Sequence, residues 1–124
     1  MNFKLSKEEK LKRKKRIETL FSEGNSVLVY PLRMVYLPMD HGADSLVKCG
    51  FGVSKKKFNQ AVDRNRIKRL MREAYRHQKH RLDQKLNKKH VIMINYIDEK
   101  PPNYVQIEEK LILLLIKFME KVKD

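Results

Sequence analysis

The residues best equipped for chemistry lie in a single run, Arg64-Asn65-Arg66-Ile67-Lys68-Arg69-Leu70-Met71-Arg72-Glu73-Ala74-Tyr75-Arg76. At about 100° per residue, Ile67, Leu70, Met71 and Ala74 share one arc of roughly that width. Asn65, Arg69, Arg72 and Arg76 fall on the opposite side, with Arg64, Arg66 and Lys68 on the flanks. The apolar stripe reads as core and not as a ligand pocket. The basic face is a row of planar guanidinium groups whose paired donors match phosphate oxygens. Each neutralised phosphate releases condensed counterions, so a handful of contacts gives tight, salt-sensitive binding. The competing reading is a solvated face held by pairs such as Arg69–Glu73, but one glutamate cannot pair with so many arginines.

The whole chain leans the same way. Its 124 residues hold 29 Lys plus Arg against 15 Asp plus Glu, a formal charge of +14. That length suits one domain around one modest core, because single cores usually run roughly 100–150 residues. An apolar share of 41% is enough to collapse. The surplus creates a field that suits a polyanionic partner and disfavours acidic catalytic clusters. It is also uneven. Residues 1–16 hold eight basic and two acidic side chains, residues 53–81 hold eleven and two, and residues 99–124 hold five of each. Two blocks therefore carry the field, and the last quarter is an ordinary amphipathic element.

Several classes are excluded. One cysteine, Cys49, leaves no internal disulfide and no cysteine zinc site, and fits a reducing cytosol. The longest apolar run, Leu111–Ile116, is far short of the roughly 20 residues that span a bilayer. Lysines, and no apolar stretch, follow the basic start, and Glu8 and Glu9 interrupt any Arg-rich transit pattern, so a cytoplasmic protein without a membrane role is expected. Asp40, His41 and Asp44 are the only compact metal-like group and read as a polar hairpin loop. His77 and His80 sit among cations, which disfavours a bound metal. Cleavage of a phosphodiester by protein-held metal ions normally needs convergent carboxylates, and the acids here are scattered.

The elements that must position the basic helix follow from local signals. Ser6-Lys7-Glu8-Glu9 is a capping-box pattern opening a first helix that closes near Gly24, with Leu20 and Phe21 on its apolar side. Leu32–Leu37 and Leu46–Val53 read as strands joined through Asp40–Asp44, and Val91–Tyr96 as a further strand. Pro101-Pro102 stops the chain, and Asn103 caps a last helix through about Val122.

The run Phe58–Glu73, with Ala61, Arg64-Asn65-Arg66 and Lys68-Arg69 at its centre, preceded by Phe51-Gly52-Val53-Ser54-Lys55-Lys56, resembles the signature of the bacterial ribonuclease P protein subunit family. The similarity in order of elements covers nearly the whole chain. It implies an α+β two-layer sandwich, order α-β-β-β-α-β-α, resembling a ribosomal-protein domain. The β-α-β crossover around the basic helix would be left-handed, against the general right-handed preference. A single domain over residues 1–124 is implied, with freedom for the basic N-terminal stretch at about 1–16 to move.

The resemblance also implies a division of labour. A catalytic RNA would cut the 5′ leader from precursor tRNA with Mg²⁺ bound mainly by that RNA, one protein per RNA, and the protein would hold no metal, catalytic residue or DNA. Arg64, Asn65, Arg66, Lys68, Arg69, Arg72 and Arg76 would contact the RNA subunit. A cleft between the basic helix and the sheet would hold the leader, with Phe21 and Tyr36 stacking on bases or packing in the core, and Lys55 and Lys56 taking phosphates. Ile17 stands where relatives often carry an aromatic, so contact there would be apolar. The stretch Lys55-Lys56-Lys57-Phe58 is one residue longer before the alanine than in some relatives, which bears on Lys57. The alternatives are a ribosomal or general RNA-binding protein, a DNA-binding regulator and a protein-only nuclease. The first is separated by the Arg-Asn-Arg signature, the second by an arginine arc too wide for base reading and by the absence of a dimer seam, the third by the scattered carboxylates.

Overall fold

The computed structural model describes residues 15, 17–40, 42, 46–84 and 86–122. A helix over 17–23 (α1) is followed by strands β1 (Asn25–Val29), β2 (Leu32–Pro38) and β3 (Val47–Val53), helix α2 (Ala61–Gln78), a one-turn helix α3 (His80–Asp83), strand β4 (His90–Tyr96) and helix α4 (Tyr104–Lys121). The expected order holds, with α3 added. The strands lie in the order β1-β2-β4-β3. β1 and β4 each pair antiparallel with β2, whereas β3 and β4 are parallel and joined through α2. The Ser6–Glu9 cap, His41, Asp44 and the basic stretch apart from Lys15 lie outside the described residues.

Strand alternation gives the sheet two different faces. Leu32, Met34 and Tyr36 on β2, with Ile92, Ile94 and Tyr96 on β4, point to the face covered by α2 and α4. Ile67, Met71 and Ala74 of α2 meet Ile107, Leu111, Leu114, Leu115 and Phe118 of α4 in that core. The intervening residues Val35 and Val91 point the other way and pack beneath Leu20 of α1, with Leu37 and Met93 beside them. The larger core therefore carries most of the burial, and α1 covers only part of the second face.

The joints follow from small chemical facts. Asn103 and Gln106 form a reciprocal capping box that opens α4, with Asn103 Oδ1 accepting from the Gln106 amide at 2.9 Å. Gly24 turns α1 into β1 through its amide bond to the Leu20 carbonyl at 2.8 Å. A Cβ there would collide with that same carbonyl and lie 2.9 Å from the Tyr36 carbonyl, so a side chain does not fit. The short edge strand β1 is tied to α4 by Lys117 Nζ, which donates to the Leu28 carbonyl at 3.2 Å.

Phe118 is the keystone of the larger core. Fully buried, its ring meets the edges of Tyr36 at 4.9 Å and His90 at 5.5 Å between centroids. Phe118→Ala should cost about 3–5 kcal/mol, a large share of a typical domain stability. Val62→Ala, at an exposed position of α2, should change stability by about 0.5 kcal/mol or less. Urea unfolding of both variants checks this, and a Phe118→Ala cost near that of Val62→Ala would contradict the packing described.

Candidate nucleic-acid interface

Helix α2 begins without help from its N-cap, because Gln60 makes no side-chain capping bond. The start is secured by Arg64, whose guanidinium donates to the Phe58 carbonyl at 2.8 Å, and by Asp63 in the first turn, where a carboxylate favours the helix dipole. Ahead of it, the Phe58 amide bonds the Ser54 carbonyl at 3.0 Å and the Lys56 amide bonds Ser54 Oγ at 3.2 Å. That turn leaves Lys55 and Lys56 exposed at the end of β3 and ties the Lys57 ammonium to the Ile97 carbonyl.

With Ile67, Met71 and Ala74 fixed in the core, the opposite side of α2 can only face solvent. The seven polar residues expected there divide by their partners. Arg64 is committed to Phe58, and Arg66 donates to the Pro102 carbonyl at 3.3 Å, linking α2 to the start of α4. Arg76 grips Glu73 at 2.5 Å, and His77 contacts the same carboxylate at 3.0 Å. Glu73 thus pairs one turn downstream and not with Arg69. The hydrogen bond from Arg76 is the main cause that holds the Glu73 carboxyl below its ordinary pKa. The Arg72 guanidinium lies 5.8 Å from the Phe51 ring centre, which steadies its stem. Asn65, Lys68 and Arg69 make no side-chain hydrogen bond or ion pair among the described residues. Asn65, Lys68, Arg69 and Arg72 are therefore the groups free to take phosphate.

The remaining expected residues do not gather in one cleft. The sheet side of α2 is packed into the core through Ile67, Met71 and Ala74. The observed groove, about 130 Å³, lies on the opposite face between α1 and β3, where Ile17 and Leu20 meet Lys48, Gly50 and Met93. Met93 and Asn95 of β4 lie over Gly50 and Gly52, since a Cβ at Gly50 would sit 2.8 Å from Met93 Sδ and one at Gly52 would strike Asn95, so neither position has room for a side chain. Phe21 is 52% exposed on α1. Lys55 and Lys56 follow Lys48, Gly50 and Gly52 along the strand. Tyr36 is the exception: it is 6% exposed, points to the helix face and lies edge-on to Phe118. Its core role, one of the two expected, is the one observed.

Lys48 was not singled out from sequence, although its alternation with Val47 and Cys49 on a strand marks it as facing away from the core. Cys49 itself faces α2, and burial pushes its thiol well above its ordinary pKa, partly opposed by Arg72. Asp40 binds the Gly42 amide at 3.1 Å and lies 3.7 Å from Lys89, as a polar turn does. Among the described residues no three His, Cys, Asp or Glu side chains converge on a point, and no helix is long and apolar enough to cross a membrane.

Fold and surface together define a small basic α+β domain in which a cationic helix is set against a four-stranded sheet. The chain belongs to the ribonuclease P protein family, whose model matches residues 5–119. It is similar to the ribonuclease P protein component of Porphyromonas gingivalis (strain ATCC 33277), with 39% identity over 124 residues that cover 97% of this chain and 90% of that one. The corresponding component of Clostridium botulinum (strain Langeland) is 32% identical over 112 residues, covering 90% and 95%. Among solved structures, an RNase P protein of Staphylococcus aureus matches with a TM-score of 0.64 at 23% identity over 84% of this chain and 89% of that one. The RNase P protein from Thermotoga maritima matches at 0.63 and 20% over 99% and 100%. At those identities the structural likeness concerns the fold.

Removing the one carboxylate from the cationic face tests its electrostatics without a physiological ligand. Glu73→Gln releases Arg76 and adds one net positive charge, so the variant should elute from immobilised heparin at higher salt than the parent, with a gap that narrows under strong screening. Unchanged or earlier elution would show that Glu73 does not moderate this face.

Proposed function

We infer that this chain is the protein subunit of ribonuclease P that binds the catalytic RNA through α2 and the 5′ leader of precursor tRNA through the opposite face of the sheet. The observation that carries the reading is the solvent-facing row Asn65, Lys68, Arg69 and Arg72, whose direction is fixed by the burial of Ile67, Met71 and Ala74. Arg64 and Arg66 adjoin it and hold the helix in place through Phe58 and Pro102. Their remaining guanidinium N–H groups can still meet phosphate. Chemistry is assigned to the RNA, and Mg²⁺ with it, because the protein's carboxylates are dispersed. One protein per RNA suffices, since the two surfaces lie on one domain.

The leader surface is the groove of Ile17 and Leu20 against Gly50 and Met93, flanked by exposed Phe21 and running along β3 from Lys48 to Lys55 and Lys56. The apolar groove beside these lysines can take a base, and the exposed aromatic ring next to it offers stacking that tolerates any base. Both RNAs are polyanions, and a domain of charge +14 between them lowers their repulsion.

Reconstitution with a bacterial ribonuclease P RNA at low Mg²⁺ should restore removal of the leader from precursor tRNA. In the same assembly Arg69→Ala should weaken binding to the RNA and lower the slope of log affinity against log salt by about one. No stimulation of cleavage, together with an unchanged slope, would defeat the reading. Phe21→Ala, at an exposed position, should leave the fold intact by circular dichroism. It should selectively weaken precursor over mature tRNA, by about 1–3 kcal/mol if one base stacks on the ring. Equal loss for both tRNAs would remove Phe21 from the leader surface.

A further inference from the structure

A second cavity lies on the helix face of the sheet, away from both surfaces above. It has a volume of about 640 Å³ and opens where β4 begins and α4 ends. Its size falls within the range of small-molecule sites, roughly 300–1,000 Å³. Its walls are mixed in a telling way. Ile116 and Met119 of α4 supply apolar surface, Lys88, Lys121 and Glu120 contribute two cations and one carboxylate, and Tyr36 and His90 reach it from β2 and β4.

Tyr36 and His90 are 6% and 4% exposed, and both rings are held by Phe118. Among the described residues the Tyr36 hydroxyl has no hydrogen-bond partner, and the His90 ring bonds only through Nδ1, to the Lys88 carbonyl at 2.9 Å. A carbonyl can only accept, so Nδ1 donates, and Nε2 is left without a partner. No fully buried polar side-chain atom in the described structure lacks a partner, so the two unpaired atoms owe their access to the cavity they line. A deeply set hydroxyl and an imidazole nitrogen, both without partners and both lining the cavity, complement a ligand edge that carries hydrogen-bonding groups. Apolar walls fit a flat ring, and two ammonium groups against the single carboxylate of Glu120 favour an anion attached to it.

We propose that this cavity binds a single unstacked nucleotide, its base edge read by Tyr36 and His90 and its phosphate met by Lys88 or Lys121. The site rests on the RNA-binding reading above but adds a third contact that neither α2 nor the β3 groove supplies. The nucleotide is either a flipped-out residue of one of the bound RNAs or a free mononucleotide, since both carry the same chemistry.

The test has two arms. In the first, the protein is titrated with each nucleoside 5′-monophosphate while the NMR signals of Tyr36, His90, Ile116 and Met119 are followed. Saturable shifts confined to the cavity are expected. Tyr36→Phe keeps the ring on Phe118 and deletes only the hydroxyl, and it should weaken binding about three- to tenfold, as loss of one hydrogen bond does. Lys121→Ala, on the exposed end of α4, should weaken the monophosphate more than the unphosphorylated nucleoside. In the second arm, the same variants and Arg69→Ala are compared in the reconstituted holoenzyme for affinity toward the RNA subunit and precursor tRNA. Weakening by Tyr36→Phe there assigns the nucleotide to a bound RNA, whereas mononucleotide binding with unchanged holoenzyme affinities assigns it to a free ligand. Absence of cavity shifts together with parent-like affinity of Tyr36→Phe in the holoenzyme overturns the site. If Arg69→Ala still weakens RNA binding in that case, the site alone fails and the proposed function stands.

Discussion

Burial of Ile67, Met71 and Ala74 against α4 fixes the rotation of α2, and the cationic surface exists because of it. A helix so rich in arginine repels itself. Two unit charges 10 Å apart in water cost only about 0.4 kcal/mol, and salt reduces that further. Burying one Ile or Met side chain contributes about 1.5–3 kcal/mol. The apolar stripe therefore outweighs the repulsion, and the arginines are held in a row that their own electrostatics would scatter. The bonds from Arg64 to Phe58 and from Arg66 to Pro102 act in the same sense, converting two of the cations into ties at the two ends of the loop system around the helix.

The second organising constraint is the strict alternation of the sheet. Val35 and Tyr36 are adjacent, yet they serve different cores: Val35 lies beneath Leu20 of α1, and Tyr36 lies against Phe118 of α4. The same alternation on β3 sends Cys49 and Phe51 toward α2 and leaves Lys48, Gly50 and Gly52 on the other face. The domain thus holds three chemically distinct surfaces without enlarging its core: a cationic helix, an apolar groove bordered by Lys48 and a polar-based cavity.

Much of this was legible in the sequence, and for identifiable reasons. The α2 stripe could be read because helical periodicity needs nothing beyond the helix itself, and the α4 cap because Asn103 directly follows Pro101-Pro102; the reciprocal part played by Gln106 was not read. Strands β2, β3 and β4 were found to within a residue or two from their Val, Leu, Tyr and Phe content, whereas β1 was given no range. What escaped was whatever depends on the partner across a fold. Nothing in the sequence says that Arg64 and Arg66 aim at backbone carbonyls, or that Glu73 chooses Arg76 over Arg69, since both spacings suit a helix. The groove was expected beside α2, but that side is packed and the groove lies under α1, where sequence gives no sign of which face a short amphipathic helix will cover. Tyr36 and Phe21 were paired as aromatics, and only strand register separates them.

Charge then takes different meanings at different places. On α2 the cations are dense and outward, which suits a rigid, highly charged surface and an affinity that falls with salt. On the second face the lysines are sparse, Lys48 on β3 and Lys55 and Lys56 beyond its end, which suits an extended strand met at separate points. At the cavity Lys88 and Lys121 stand against the carboxylate of Glu120, so position there would be set by hydrogen bonds and shape more than by charge. A surplus of +14 spread evenly would bind any polyanion in any orientation. Divided among separate surfaces of one small sheet, it gives each surface its own orientation and its own chemistry. On the proposed function, that division is what would let one domain orient one RNA against another.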